Sequence, residues 1–316
     1  MTSVIEKCTV CPRKCGVLRE QYSDVGFKRG FCDMPSDAVV VRAALHHYEE
    51  PCISGSRGSG TVFFAGCNLR CAFCQNRTIS RKFDKLSNND YKLVDANGLK
   101  RIFHSLIEQG AHNINLVTPS HYAHIVAEAL DDKLPVPVVY NSGGYDSVET
   151  LEMLRGKVDI FMPDMKYSSD VLARDLSCAS DYTAVNRDAI LKMYSLVGKP
   201  KFDDDGMMRS GLIIRHLILP GQLSNTEGVI DWLYDNLPKS SYIFSLMGQY
   251  TPPSDESVLA DVIGKYPELK RPISADEYDQ AKAMLEKRRI SSGYLQQLES
   301  VGEDYVPLFG SKYVCD

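Results

Sequence analysis

The sequence predicts an α/β fold, a partial (β/α)6 barrel, with a Cys-rich segment ahead of it and a helical tail behind. Three observations carry that expectation. After Thr61, short apolar runs alternate with helical periodicity six times, the pattern of a parallel sheet covered by helices. Each apolar run is followed by polar or special residues, as happens where βα loops meet to build one site. The chain has 316 residues, enough for one large domain with appendages. Six units suit an incomplete barrel better than a closed eight-stranded one, and a doubly wound sheet is the structural alternative.

The units follow in order. "TVFFAG" (61–66) reads as a buried strand. Asp95 is an N-cap for a helix with Leu99, Ile102, Phe103, Leu106 and Ile107 on one face, closed by Gly110. "NINLV" (113–117) precedes a helix near 121–131, and "VPVVY" (136–140) one near 146–155. "VDIFM" (158–162) leads into helical segments through about residue 197, and "LIIRHLIL" (212–219) into a helix opened by Ser224 with Glu227 three residues on. "YIFSL" (242–246) closes the series. Ser274 and Glu277 form another capping box and predict a helical tail. The expected division is a Cys-rich metal-binding segment over 1–57, the barrel over 58–253 and a mainly helical extension over 254–316.

Composition narrows the function. The chain is 44% hydrophobic and 24% charged, with a net charge of −5 and a pI near 5.8. A mildly acidic protein does not advertise a phosphate-binding surface, so nucleic acid is not an expected partner. No run approaches the roughly 20 apolar residues of a membrane span, and "MTSVIEKC" lacks the features of a signal peptide. The chain is therefore expected in a reducing cytoplasm, where clustered thiols more often bind metal than form disulfides.

The ten cysteines form two groups and three loners. Cys67, Cys71 and Cys74 run C-x3-C-x2-C directly after the first strand. Three thiolates suit an iron–sulfur cluster with one iron left open, and an open position is what a catalytic centre needs. A zinc site completed by a distant His or Asp is the alternative. Cys8, Cys11, Cys15 and Cys32 run C-x2-C-x3-C-x16-C, the count of a closed zinc site or a fully ligated auxiliary cluster. Zinc is favoured there because it would fold a segment with little apolar periodicity. Cys52, Cys178 and Cys315 read as ordinary thiols.

The remaining strand ends supply Thr118-Pro119-Ser120-His121, then Asn141-Ser142-Gly143-Gly144, then Asp164 and Lys166, then Arg215 and His216, then Gln249 and Tyr250. Plainer readings stand beside each. Asp164 and Lys166 also suit a surface ion pair, and His121 a helix start. Arg215 and His216 are adjacent on a strand, so at most one faces the barrel interior. His46 and His47, with Glu49 and Glu50, suit a polar turn better than a ligand set.

"CNLRCAFC" resembles the signature of the radical SAM enzymes, with an aromatic residue before the last Cys and its place after the first βα strand. The resemblance implies a 4Fe-4S cluster on Cys67, Cys71 and Cys74. It further implies S-adenosylmethionine (SAM) chelated by the open iron and cleaved reductively to a 5′-deoxyadenosyl radical that abstracts hydrogen. Phe73 would lie beside the adenine. Asp164 and Lys166 resemble the D-x-K of the pyruvate formate-lyase activating enzymes, where the Lys helps hold the SAM carboxylate. "IRHLILPG" resembles their fifth-strand segment, placing Arg215 or His216 near the carboxylate or ribose, with Asn141 and Ser142 on the ribose. Together with "CTVCPRKCGV", "NLVTPSHY", "DMKY" and "QYTP", the resemblance extends to an activase-like subfamily bearing an N-terminal four-cysteine segment, up to about residue 253.

Two departures matter. More than sixty residues precede the cysteine motif, and the Gly-Gly-Glu common after the second strand is replaced by Thr118-Pro119-Ser120. Thr118 and Ser120 are therefore expected cofactor contacts that hold SAM's amino group differently, and glycyl-radical formation does not carry over automatically. The leading expectation is an enzyme acting on a protein, with glycyl-radical formation as its activase-like form and reduced flavodoxin or ferredoxin implied as electron donor. Modification of a peptide, metabolite or RNA by the same radical is the second reading. A non-catalytic Fe-S or zinc module is the third.

Overall fold

The computed structural model describes residues 5, 7–19, 30–80, 86–87, 90–253, 256–290, 292–296 and 309–315. Its elements in chain order are β1 (Ala38–His46), α1 (Pro51–Ser54), β2 (Ser59–Phe64), α2 (Arg77–Ser80), β3 (Lys92–Val94), α3 (Ala96–Glu108), β4 (Ile114–Val117) and α4 (Ala123–Ala129). There follow β5 (Val138–Ser142), α5 (Val148–Met153), β6 (Ile160–Pro163), α6 (Asp170–Ser177), α7 (Tyr182–Val197), β7 (Lys201–Phe202) and β8 (Met208–Leu217). The series ends with α8 (Leu223–Asn236), β9 (Ile243–Met247), α9 (Ala275–Arg288) and β10 (Gly293–Leu295).

The strands lie in one sheet, in the order β10-β9-β8-β6-β5-β4-β2-β1-β3, with β7 on β8. The six strands expected from sequence are β2, β4, β5, β6, β8 and β9, and they pair in parallel. That is the expected α/β fold, a partial barrel whose path among the described residues ends at β10 and β3 rather than closing. Strands outside the series extend both ends. β1 pairs antiparallel with β2 and carries β3, while β10 adds in parallel to β9.

The period-two alternation of strand side chains divides the core. Tyr140, Phe161, Leu212 and Ile214 pack under the helices in the main cluster. Val139, Ile160, Met162 and Ile213 turn the other way and pack with Cys52 and Ile53 of α1. A short helix thus plugs the barrel interior, and burial pushes the Cys52 thiol up to about 11.

Local signals behaved unevenly. Asp95 caps α3 by accepting from the Gly98 amide at 2.7 Å, with Leu99, Ile102, Phe103 and Leu106 buried. Ser274 and Glu277 form their reciprocal box at the start of α9. The box expected at Ser224 does not form: α8 begins at Leu223 with Gln222 as its cap, which leaves Ser224 inside the first turn. The region after 253 contributes a strand to the sheet as well as helix α9. Among the described residues no helix is long and apolar enough to cross a membrane.

Candidate active site

Thiols and strand ends meet in one cavity of about 260 Å³. Cys67, Cys71 and Cys74 line it from the loop after β2, with Phe73 beside them. Thr118, Asn141, Ser142, Gly143, Asp164, Lys166, Arg215 and Gln249 reach it from the ends of the later strands. The βα order of the chain places them there, because parallel strands deliver every such loop to the same edge.

Each sulfur has a polar neighbour. The Leu69 amide donates to Cys67 Sγ at 3.3 Å, Ser177 Oγ donates to Cys71 Sγ at 3.0 Å, and Ser80 Oγ lies 3.3 Å from Cys74 Sγ. Burial pushes the Cys67 and Cys71 thiols up; the neighbouring Cys71 adds to the rise at Cys67, and Lys166 opposes it at Cys71. Among the described residues, no group of three or more His, Cys, Asp or Glu side chains is arranged to hold a metal ion. A cluster asks for less convergence than a single ion, since each thiolate binds a different iron. The donor set fits such a group: three thiols facing one cavity, hydrogen-bond donors on their sulfurs, and a cation close by.

That cation is Lys166, whose Nζ donates to Asp164 Oδ2 at 2.5 Å. Burial opposes its charge, but Asp164, Cys71 and Tyr182 outweigh burial and hold its pKa above the ordinary lysine value. Tyr182 of α7 fixes this strand end. Its hydroxyl accepts from the Lys166 amide at 3.0 Å and reaches the Gly143 and Asp164 carbonyls at 2.9 and 3.1 Å.

Arg215 and His216 separate as strand alternation requires. Arg215 faces the cavity and is forked by Glu49 and Glu50. His216 is fully buried away from it, with Nδ1 at 2.6 Å from the Met165 carbonyl and Nε2 at 3.0 Å from Thr226 Oγ1. The carbonyl requires the proton on Nδ1, leaving Nε2 to accept from Thr226. Burial pushes its pKa down to about 4.

Two further expected contacts differ in detail. Ser120 stays outside the cavity wall, 2% exposed, because it belongs to the buried network around Asp146. Ser142 lines the cavity, but its hydroxyl donates to Asp146 at 2.6 Å. Tyr140 donates to the same carboxylate at 3.0 Å. His121 is buried, with Nε2 at 2.8 Å from the Ala65 carbonyl. Sequence reasoning missed Ser177 and Gln296, and read Glu49 and Glu50 as part of a polar turn, whereas they pair with Arg215 at the cavity. The signal available for the two glutamates was a pair of carboxylates directly before the Pro that opens α1.

The N-terminal segment docks against the cysteine loop. Arg13 Nε donates to the Asn68 carbonyl at 2.8 Å and Nη1 to the Cys178 carbonyl at 2.6 Å, while its guanidinium lies 3.7 Å from the Phe31 ring centroid. Cys8, Cys11 and Cys32 are buried and Cys15 is partly so. Phe31 donates its amide to Cys15 Sγ at 3.3 Å, and burial, reinforced by the other three cysteines, pushes the Cys11 thiol up to about 12.

No protein-family model matches the chain. It is 28% identical over 299 residues to the uncharacterized protein MJ0674 of Methanocaldococcus jannaschii, covering 92% of this chain and 78% of that one. Among solved structures it is similar to a spore photoproduct lyase variant, with TM-score 0.48, 11% identity, and coverage of 80% of this chain and 81% of the other. It is also similar to SuiB of Streptococcus suis bound to the precursor peptide SuiA, with TM-score 0.47, 12% identity and 73% of this chain covered. The chain spans about half the length of SuiB, 47%. These likenesses to solved structures concern the fold.

Proposed function

We propose that the chain is a radical SAM enzyme that abstracts hydrogen from a protein or peptide substrate. One observation carries the reading: three cysteines spaced C-x3-C-x2-C line the same cavity as Asp164, Lys166 and Arg215. When bound, a 4Fe-4S cluster supplies the electron that cleaves SAM to methionine and a 5′-deoxyadenosyl radical.

The chain's own residues do the rest. Cys67, Cys71 and Cys74 hold the cluster, and the Leu69 amide and Ser177 hydroxyl stabilise negative charge on two of the sulfurs. Lys166 offers a cation to the carboxylate of SAM, and Asp164 fixes that ammonium in position. Phe73, packed against Tyr250 with ring centroids 6.1 Å apart, gives the adenine an apolar wall. Thr118, Asn141 and Ser142 line the same cavity and serve the ribose and amino group. Holding the reactants in line, with water excluded, is the protein's part of such chemistry. A macromolecular substrate is favoured because, among the described residues, the sheet path ends at β10 and β3 rather than closing.

The test is anaerobic reconstitution with iron and sulfide, then dithionite and SAM, with 5′-deoxyadenosine measured by mass spectrometry. Product is expected from the parent chain and none from the Cys67, Cys71, Cys74→Ala triple variant. A fully loaded chain that makes no 5′-deoxyadenosine would sink the reading.

A further inference from the structure

Arg19 is a buried cation whose charge no carboxylate among the described residues answers. It is 1% exposed. Nη1 donates to the His121 carbonyl at 2.6 Å and Nη2 to the Pro35 carbonyl at 2.5 Å, while Nε has no partner. The ring of Tyr122 lies 5.4 Å away. Nη1 also approaches Cys8 Sγ at 3.9 Å. Carbonyls solvate a guanidinium without neutralising it, and an uncompensated buried charge is strongly unfavourable. The sulfur of Cys8 is placed to carry the missing negative charge, with the other three cysteines in the same segment. Neutral thiols carry none; metal-bound thiolates do, and a four-thiolate zinc or 4Fe-4S centre is a dianion.

We propose that Cys8, Cys11, Cys15 and Cys32 close around a thiophilic metal centre distinct from the cavity cysteines, and that Arg19 is its buried counter-cation. Gly16 and Val17 bring the first three cysteines into one loop: the Cys8 amide donates to the Val17 carbonyl at 2.8 Å and the Gly16 amide to the Cys8 carbonyl at 2.9 Å. Phe31, adjacent to Cys32, ties the fourth to this loop through Cys15 Sγ. Metal binding draws the sulfurs inward from their present positions, since they do not already form a closed ion site. Arg19 acts as a positioning residue, favouring the thiolates without touching substrate.

The experiment uses the full chain with Cys67, Cys71 and Cys74→Ala, so that this proposal can fail independently of the radical SAM reading. Metal and sulfide analysis should find either one equivalent of zinc or iron with matching sulfide, which separates the two sources. Iodoacetamide should spare Cys8, Cys11, Cys15 and Cys32 together until a chelator is added. In the same background, Arg19→Met should release metal to the chelator about 10–100-fold faster, the scale of an outer-shell partner, and Arg19→Lys should recover part of that loss. A folded chain without metal, its four thiols freely alkylated, overturns the centre. Unchanged release from Arg19→Met overturns the role of Arg19. Should that variant fail to fold, Arg19→Gln takes its place: release as slow as the parent's overturns the role of Arg19, and faster release supports it.

Discussion

Arg215 and His216 are neighbours on β8 and live in opposite electrostatic worlds. Arg215 stands in the cavity wall between Glu49 and Glu50, while His216 is neutral, clasped between a carbonyl and a threonine hydroxyl. One peptide unit separates a buried ion triad from a buried uncharged ring.

Removing the cation of that triad should be costly. Arg215→Met leaves two carboxylates with side-chain exposures of 9% and 2%, and breaking a buried pair from one side costs about 3–5 kcal/mol. Adding Glu49→Gln and Glu50→Gln should recover much of the loss, as read from urea midpoints. The sign with pH follows from Glu50. Burial raises its pKa, but Arg215 outweighs burial and holds it below the ordinary glutamate value of 4.5. Its stabilisation is then complete above about pH 4.5 and fades as pH falls further. Glu50→Gln should flatten that part of the profile.

His216 predicts a different window. Its folded pKa near 4 lies below the ordinary 6.5, so the unfolded chain binds the extra proton between those values. Stability is full above about pH 6.5 and falls toward pH 4, by roughly 3 kcal/mol for this one group. His121 and His124, both pushed down to about 3 by burial, act in the same direction. His216→Gln should therefore remove one proton's worth of slope rather than all of it. An unchanged slope between pH 6.5 and 4 would show that His216 is not held neutral.

What could be read in advance follows the same divide. Strand order, the period-two alternation and the C-x3-C-x2-C loop are local patterns, so six strands and a cysteine-lined edge were visible in the sequence. Glu49 meeting Arg215 spans 166 positions, and no periodicity announces a contact of that range. Ser120 has the residue type of a cavity contact, but the buried Asp146 carboxylate claims it. Strand β1 lies inside the segment 1–57, whose clustered cysteines are a stronger local signal than its apolar run. Its run "AVVVRAALH" is nevertheless a strand of the same sheet, paired with β2 on one side and β3 on the other.

Ser177 offers a test of the cavity cysteines that leaves every ligand in place. Tyr167 lies with its hydroxyl 2.6 Å from Ser177 Oγ, and Ser177 donates to Cys71 Sγ at 3.0 Å. Hydrogen bonds to cluster sulfurs raise reduction potential. On the proposed reading, Ser177→Ala should load the same iron but titrate at a lower potential by EPR. An identical potential would mean that the hydroxyl does not act on a cluster ligand.

Gly144 joins the fold to the site through one close approach. Its φ is +71°, and an added Cβ would lie 2.0 Å from the Asp164 carbonyl oxygen and 2.3 Å from Asn186 Nδ2. Asn186 holds the Gly144 and Asp164 carbonyls at 2.9 Å each, so the methyl cannot be accommodated without moving the strand end that presents Asp164 and Lys166. Gly156 provides the control, with φ of +72° and nothing within 4 Å of an added Cβ. Gly156→Ala should cost only the left-handed strain, about 1–2 kcal/mol. Gly144→Ala should cost that and about 1–3 kcal/mol more from overpacking. It should also weaken SAM binding in the reconstituted chain, which Gly156→Ala should leave unchanged. Matched urea titrations measure the first difference and equilibrium dialysis the second. Equal losses in the two variants would mean that the backbone at 164 yields freely, and that Gly144 does not set the position of the Asp164–Lys166 pair.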